Sequence, residues 1–222
     1  MLRAIVRLRG RLRRFFPRLV VFGKALGLIY SSRSYLRRSG YVQSVVAKRP
    51  YRADGTPIPW MNYNVVAFLE QRLNKDMSLF EYGSGNSTLF FARLVNRVVS
   101  LETERAWYDE FVTRVPANVK LILVEPFDGE TYRRLIGEQD GKFDVVIVDG
   151  EDRTSCTIHA REHLTRGGVV IVDDSQHKSA HSGIERLLEH GFKRLDFEGL
   201  KPGSISGYRT TILYRERNCL GI

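Results

Sequence analysis

The 222-residue sequence has little cysteine, and its first 53 residues contain no acidic side chain. The two cysteines, Cys156 and Cys219, are far apart and lack any metal-binding or redox spacing, so we predict no disulfide framework. No apolar run reaches the roughly twenty residues that a helix needs to cross a bilayer. Arginines interrupt the first apolar stretch, which argues against a secretory signal. We therefore expect a protein of the reducing cytoplasm.

The net charge of +10 belongs to one segment of the chain. Residues 1–53 contain fourteen Lys or Arg, and the rest of the chain has 21 basic against 25 acidic residues, a net charge of −4. An enzyme that acts on nucleic acid is expected to carry positive charge around its cleft. The acidic body therefore argues against a nucleic-acid partner.

The charge pattern divides the chain into a basic amphipathic N-terminal segment with a linker (residues 1–53) and an α/β domain (residues 54–222). Wound as a helix, the segment places apolar residues on one side: Ile5, Leu8, Leu12, Phe16 and Leu19. Pro17 is expected to break this helix and to begin a second one over residues 19–30. Each basic residue near an anionic surface contributes about 1 kcal/mol, so we predict that residues 1–38 bind an anionic membrane surface.

Two other interpretations of this segment stay open. It could dock on the acidic domain, or it could be a mitochondrial presequence, because such presequences are rich in Arg and Ser and poor in acids. Our first expectation is peripheral attachment to the inner face of the membrane, with a mitochondrial location as the alternative.

Residues 79–88 contain the most informative motif. An apolar run ends in the turn Gly83-Ser84-Gly85, a predicted helix follows over residues 87–94, and a second apolar run over residues 98–101 ends at Glu102. A strand, a glycine turn, a helix, a strand and an acid form the pattern that binds an adenosine-bearing cofactor at the edge of a parallel sheet. Glycines allow close approach of the backbone, and the acid accepts hydrogen bonds from ribose hydroxyls.

The same alternation of strands and helices continues to the end of the chain. Further strands are predicted over residues 119–124, 143–148, 168–172, 192–197 and 208–214, and further helices over residues 104–115, 128–139, 152–164 and 183–190. We predict a Rossmann-like, doubly wound, seven-stranded sheet with helices on both faces. It is mostly parallel, with the last strand antiparallel and at the edge.

The spacing Glu81-x-Gly83-x-Gly85, followed by Ser-Leu-Glu ending at Glu102, resembles the first two signatures of class I S-adenosylmethionine-dependent methyltransferases. A nicotinamide-binding turn would instead need a small residue at the position of Thr88. The segments 59–63 and 218–222 are similar to those of FkbM-like, mostly uncharacterised bacterial methyltransferases. The resemblance covers residues 58–222 and implies methyl transfer to an oxygen of a sugar, glycan or other small molecule.

The resemblance also implies where the cofactor binds. The first acid and the turn face the methionine part, and the second acid holds the ribose. The resemblance implies four cofactor-binding residues: Glu81, Gly83, Gly85 and Glu102. We add Ser84, Ser87 and Asp149 as further candidates for cofactor binding.

Three acids at strand ends, Asp149, Asp173 and Asp174, are the candidates for the chemistry, and two arrangements are open. They could form an oxygen-only Mg²⁺ site, at places that resemble the metal ligands of catechol-type O-methyltransferases. Alternatively, without metal, clustered carboxylates raise one another's pKa, and Asp149 or a histidine such as His177 or His181 accepts the acceptor's proton. We favour the metal-free arrangement, with Asp149, Asp173 and His177 as catalytic residues.

Two other functions are compatible with the same fold. The protein could be a catalytically inactive, membrane-associated nucleotide-binding or scaffold protein, or an NAD-linked oxidoreductase. Trp60 and Tyr63 precede the first helix of the domain, and they are expected either to cover the site or to pack at the sheet edge.

Overall fold

The structure, a computed structural model, describes residues 15–222. Its seven strands are β1 (Ser78–Tyr82), β2 (Arg97–Glu102), β3 (Val119–Leu123), β4 (Phe143–Val148), β5 (Leu164–Val172), β6 (Lys193–Leu200) and β7 (Gly207–Tyr214). They form one sheet in the order β3-β2-β1-β4-β5-β7-β6. Strands β1 to β5 are parallel, and β7 runs antiparallel to both of its neighbours. The predicted Rossmann-like, seven-stranded, mostly parallel sheet is confirmed.

The helices in the described part of the chain are α1 (Pro17–Tyr30), α2 (Tyr35–Arg38), α3 (Tyr41–Ala47), α4 (Tyr63–Arg72), α5 (Asn86–Leu94), α6 (Arg105–Phe111), α7 (Gly129–Arg134), α8 (Arg153–Ala160) and α9 (Lys178–Glu189). Short 3-10 turns, Leu135–Glu138 and Arg161–His163, follow α7 and α8. Helix α1 starts at Pro17, as expected, because proline fits the first turn of a helix. Residues 1–14, which carry most of the predicted amphipathic pattern, lie outside the described residues.

Apolar residues cover the sheet on both faces because the central strands alternate between two cores. Leu79 and Ile147 belong to the core on one face, with α4 and α5, while Phe80 and Val148 belong to the core on the other face, with α8 and α9. Burial on both faces explains the unbroken apolar run of β4. The parallel strands therefore end together at one edge of the sheet.

The predicted position of the last strand is wrong. Strand β7 lies inside the sheet between β5 and β6, and β6 is the edge strand. In β7, residues 210–213 are buried, whereas exposed and partly buried residues alternate along β6. A strand covered on both faces belongs inside a sheet, and one with a solvated face tolerates the edge.

The end of the N-terminal segment packs on the domain. The buried Asn86 side chain donates a hydrogen bond to the carbonyl of Pro50, with 2.8 Å between Nδ2 and O, and Arg49 forms an ion pair with Glu110. Helix α1, in contrast, buries none of its side chains. Among residues 15–222, no helix is long and apolar enough to cross a membrane.

Candidate active site

The glycine turn lies at the carboxyl end of β1, between the ends of β2 and β4. Gly83 has a φ of +99°, and a Cβ at this position would lie 3.0 Å from the carbonyl oxygen of Asp149. Its own N–H donates to the carbonyl of Leu101 at 3.2 Å. A side chain at Gly83 would thus strain the backbone and push β1 and β4 apart.

The buried side chain of Glu81, two residues before Gly83, forms hydrogen bonds with the elements on either side of this turn. Its Oε2 accepts hydrogen bonds from Thr88 Oγ1 at 2.6 Å and from Ser100 Oγ at 2.8 Å. Its Oε1 is buried and has no hydrogen-bond partner within residues 15–222. Burial raises the pKa of Glu81 to about 7. Glu81 therefore lies at the turn, where the sequence predicted a cofactor-binding residue. Its side chain, however, forms hydrogen bonds that link β1 to α5 and β2.

Glu102, the predicted ribose-binding acid, lies beside the glycine turn. It terminates β2, and its Oε1 accepts from the backbone N–H groups of Thr103 and Glu104 at 2.8 and 2.9 Å. The hydroxyl of Ser84 donates to its Oε2 at 2.5 Å. These three donors fix the carboxylate beside the glycine turn.

A cavity of about 130 Å³ opens beside the turn. Its lining comes from the turn and α5, from the end of β4, and from three other parts of the chain: Ser84, Gly85, Asn86, Ser87, Asp149, Arg49, Pro50, Trp60 and Trp107. Four of the predicted cofactor residues, Ser84, Gly85, Ser87 and Asp149, thus line one cavity, which we call the cofactor cavity. The buried Oδ1 of Asn86 has no partner in the described part of the chain.

Sequence reasoning did not find the wall formed by Arg49 and Trp107. The Arg49 guanidinium lies 4.9 Å from the centroid of the Trp107 ring, and its Nη2 lies 2.7 Å from Oε2 of Glu110. Arg49 was one of fourteen basic residues in an acid-free segment, so nothing in its own pattern distinguished it. Trp107 had the spacing of a core residue on a helix.

The three acids at the strand ends do come together. Asp149, Asp173 and Asp174 each offer a carboxylate oxygen, and these oxygens lie within 4.8 Å of one another. The ammonium of Lys201 lies among them, 2.5 Å from Oδ2 of Asp173 and 2.6 Å from Oδ1 of Asp174. Thr210 donates to the other oxygen of Asp173 at 2.5 Å.

A second cation, Arg153, completes the cluster. Its Nη2 lies 3.2 Å from Oδ1 of Asp149, and its Nη1 donates to the carbonyl of Asp173 at 3.0 Å. Burial, followed by the charge of Asp173, raises the pKa of Asp149 well above its usual range. Burial acts to lower the pKa of Lys201, but the charges of Asp173 and Asp149 raise it overall. Lys201 thus stays an ammonium.

This donor set does not fit the predicted Mg²⁺ site. Magnesium needs octahedral oxygen coordination at about 2.0–2.1 Å, and the oxygens of Asp173 and Asp174 that would supply it are bonded to the Lys201 ammonium. Thr210 occupies the remaining oxygen of Asp173. The lysine supplies inside the fold the positive charge that a metal would bring.

A second, larger cavity of about 530 Å³ adjoins the first. It is lined by two aromatic rings, two acids, Lys201 and the loop that follows it: Trp60, Tyr208, Asp149, Asp174, Lys201, Pro202, Gly203 and Ser204. Trp60 and Asp149 line both cavities. The indole N–H of Trp60 donates to the carbonyl of Pro202 at 2.9 Å and so holds this loop. We call this space the acceptor cavity.

Two of the predicted residues lie elsewhere. His177 is exposed and borders a separate open depression beyond Asp174, with Arg153 and Thr154. The structure therefore does not bring His177 into the cofactor or acceptor cavity. Tyr63 is buried against Tyr35, with 6.1 Å between ring centroids, and does not line either cavity.

Residues 80–175, from the glycine turn to the acid cluster, match a family model described as a methyltransferase domain. No curated protein matches the chain significantly.

Solved structures share the α/β fold of this chain. The O-methyltransferase TomG from Streptomyces achromogenes, in complex with SAM, is 19% identical and has a TM-score of 0.52 over 67% of this chain and 77% of its own. A precorrin-6y C5,15-methyltransferase from Geobacter metallireducens is 16% identical, with a TM-score of 0.50 over 68% and 86%. A spermidine synthase from Thermotoga maritima is 12% identical, with a TM-score of 0.51 over 69% and 56%.

The buried carboxyl of Glu81 makes stability depend on pH. Folded, the group keeps its proton up to a pKa of about 7, whereas the unfolded chain loses it near 4.5, so its contribution is present at low pH and is lost as pH rises through 7. Glu81→Gln cannot ionise. Its free energy of unfolding relative to the wild type should rise by up to about 3 kcal/mol between pH 5 and pH 8 in urea unfolding. Exposed Glu104→Gln is the control. The same difference for Glu81→Gln at both pH values would contradict the assignment.

Removing the internal cation should create a metal site. Lys201→Ala leaves buried Asp173 without its partner, which costs about 3–5 kcal/mol, and a divalent ion can replace the lost charge. We expect Lys201→Ala to bind Mn²⁺ by electron paramagnetic resonance and to melt at a higher temperature with Mn²⁺. The wild type and Lys201→Arg should show neither effect. Binding of Mn²⁺ to the wild type that Asp174→Asn abolishes would disprove the idea.

Proposed function

We propose that this protein transfers the methyl group of S-adenosylmethionine to an oxygen of a sugar, glycan or other small polyhydroxylated molecule. The observation that supports this most is the junction of two cavities. The cofactor cavity holds the glycine turn, the acceptor cavity holds the aromatic rings and acids, and both are bounded by Trp60 and Asp149. Methyl transfer requires this arrangement, because donor and acceptor must meet in line.

The residues that line the cofactor cavity, and Glu102 beside it, fit the cofactor. Glu102 is placed to accept hydrogen bonds from two ribose hydroxyls. The unpartnered Oδ1 of Asn86 is a ready acceptor for an ammonium group, and the positive end of the α5 dipole suits a carboxylate. A nicotinamide-binding turn needs a small residue at the position that Thr88 occupies. Here the Thr88 hydroxyl donates a hydrogen bond to Glu81, which disfavours the NAD-linked oxidoreductase.

When bound, S-adenosylmethionine supplies an electrophilic methyl group, and the protein has to align the acceptor oxygen and remove its proton. Asp149 is the titratable residue that lines both cavities. Its raised pKa makes it a stronger base than an ordinary carboxylate, and Arg153 orients its carboxylate.

The acceptor cavity has the chemistry of a polyol site. The rings of Trp60 and Tyr208 offer flat apolar faces, while Asp174 and Ser204 offer hydrogen-bonding groups. Sugars present both kinds of surface. We also propose that the protein belongs to the FkbM-like group, whose members modify polysaccharides and secondary metabolites. Only the sequence features support this membership.

Helix α1 supports attachment of the protein to a membrane surface. It buries none of its residues and exposes a large apolar surface together with Arg18 and Lys24: Leu19, Val21, Phe22, Leu26, Leu28, Ile29 and Tyr30. A helix that is apolar on most sides needs a nonpolar surface to pack against. None of the α1 side chains is buried against the domain. We propose that it lies in the headgroup region of an anionic membrane, where the protein meets a glycan or lipid-linked acceptor.

Two variants separate cofactor binding from chemistry. By calorimetry, the wild type should bind S-adenosylhomocysteine and not NAD. Glu102→Ala should weaken this binding by about 1.5–3 kcal/mol for each lost hydrogen bond, and Glu104→Ala should not. Asp149→Asn should bind it but lose most transfer of labelled methyl groups to glycans and small molecules in lysate. Absent binding, or undiminished binding by Glu102→Ala, would reject the proposal.

The membrane role of α1 is tested by flotation with anionic vesicles. Phe22→Glu removes an exposed aromatic side chain that we place in the lipid and adds a negative charge. The vesicle affinity should fall about tenfold or more, because a buried Phe contributes roughly 1.5–3 kcal/mol. Val46→Glu, at an exposed valine of α3, is the matched control and should float like the wild type. Equal flotation of Phe22→Glu and the wild type would contradict the proposal.

A further inference from the structure

A separate cavity of about 280 Å³ lies between the helices of the N-terminal segment and α4, outside both cavities of the active site. Its polar lining consists of two arginines, one acid, two tyrosines and a serine: Arg38, Arg52, Glu70, Tyr35, Tyr63 and Ser39. Apolar side chains, among them Val66 of α4, complete the wall. We call it the α2–α4 cavity.

The arginines leave positive charge in this cavity. Arg52 pairs with Glu70, with 2.6 Å between Nη2 and Oε2. No carboxylate of residues 15–222 pairs with Arg38, which lies at the end of α2. The pair Arg52–Glu70 is neutral, so Arg38 gives the cavity a net positive charge. A guanidinium that is free to donate matches the oxygens of a phosphate group.

Tyr63 supplies a second donor that lacks a partner. Only 7% of its surface is exposed, and its hydroxyl makes no hydrogen bond within the described residues. Ser39 and Ser44 are near, but neither hydroxyl meets the geometry of a hydrogen bond with Tyr63. Burial raises the pKa of Tyr63 to about 12, so the group stays a donor. A buried hydroxyl without a partner is costly, which indicates that a ligand completes the site.

We infer that the α2–α4 cavity binds a phosphate ester, whose oxygens accept hydrogen bonds from the Arg38 guanidinium and the Tyr63 hydroxyl. The phosphate can belong to a phospholipid headgroup or to a water-soluble molecule. The lipid is favoured by position, because the Nε of Arg37 in α2 donates to the carbonyl of Ile29 at 3.1 Å and holds the exposed apolar helix α1 beside the cavity. The inference does not depend on methyl transfer.

The test uses the full-length protein and two probes, glycerol 3-phosphate in calorimetry and phosphatidylcholine vesicles with or without phosphatidic acid in flotation. Tyr63→Phe and Arg38→Gln should each weaken binding of the phosphate probe about tenfold or more. Arg33→Gln, which removes the same charge from a nearby exposed residue outside the cavity, is the control and should bind normally. Tyr63→Phe should melt no lower than the wild type, because it removes a hydroxyl without a partner.

The two probes distinguish the sources of the phosphate. A loss seen only with phosphatidic acid vesicles identifies a lipid headgroup, and a loss seen with glycerol 3-phosphate identifies a soluble phosphate ester. Both results support the site. Equal losses for Arg33→Gln and Arg38→Gln, together with unchanged binding by Tyr63→Phe, would show general charge attraction and overturn the inference. Absence of binding to either probe would overturn it as well.

Discussion

The cofactor cavity depends on a buried carboxyl group under its glycine turn. Glu81 in β1 accepts hydrogen bonds from Thr88 in α5 and Ser100 in β2, so one side chain connects the three elements that shape the turn. Burial of this group is unfavourable unless it is protonated or well bonded. The turn therefore keeps its shape through a polar contact inside an apolar core. Gly83, pressed against β4, and Glu102, fixed by three donors, depend on the same arrangement.

A second polar cluster positions the junction of the two cavities. Lys201 bridges Asp173 and Asp174, and Arg153 holds Asp149. Here a side chain from the loop between β6 and β7 supplies the charge that a metal ion could supply. This cation is covalently part of the chain, and the proposed methyl transfer therefore relies on Asp149 and its neighbours alone. The aromatic wall formed by Trp60 is tied to the same loop.

Short sequence patterns predicted those features of the fold that depend on residues close together in the chain. The apolar run of β4, the glycine turn and the acid at the end of β2 are each encoded within a few residues, and all were located correctly. The position of β7 was not predictable in this way, because a strand's neighbours depend on the burial of both faces and not on chain order. The pairing of Lys201 with Asp173 was missed because 28 residues separate the two in the sequence. His177 follows a strand end, yet its loop turns away from the cavities.

The central claim is that an adenosyl cofactor occupies the cofactor cavity with its ribose on Glu102. A crystal structure with S-adenosylhomocysteine tests it directly. We predict that both ribose hydroxyls lie within hydrogen-bond distance of the Glu102 carboxylate and that the amino group faces Oδ1 of Asn86. The sulfur should point to the junction at Asp149 and Trp60. A ligand bound away from Glu102, or a glycine turn left empty at saturating ligand, would contradict the account.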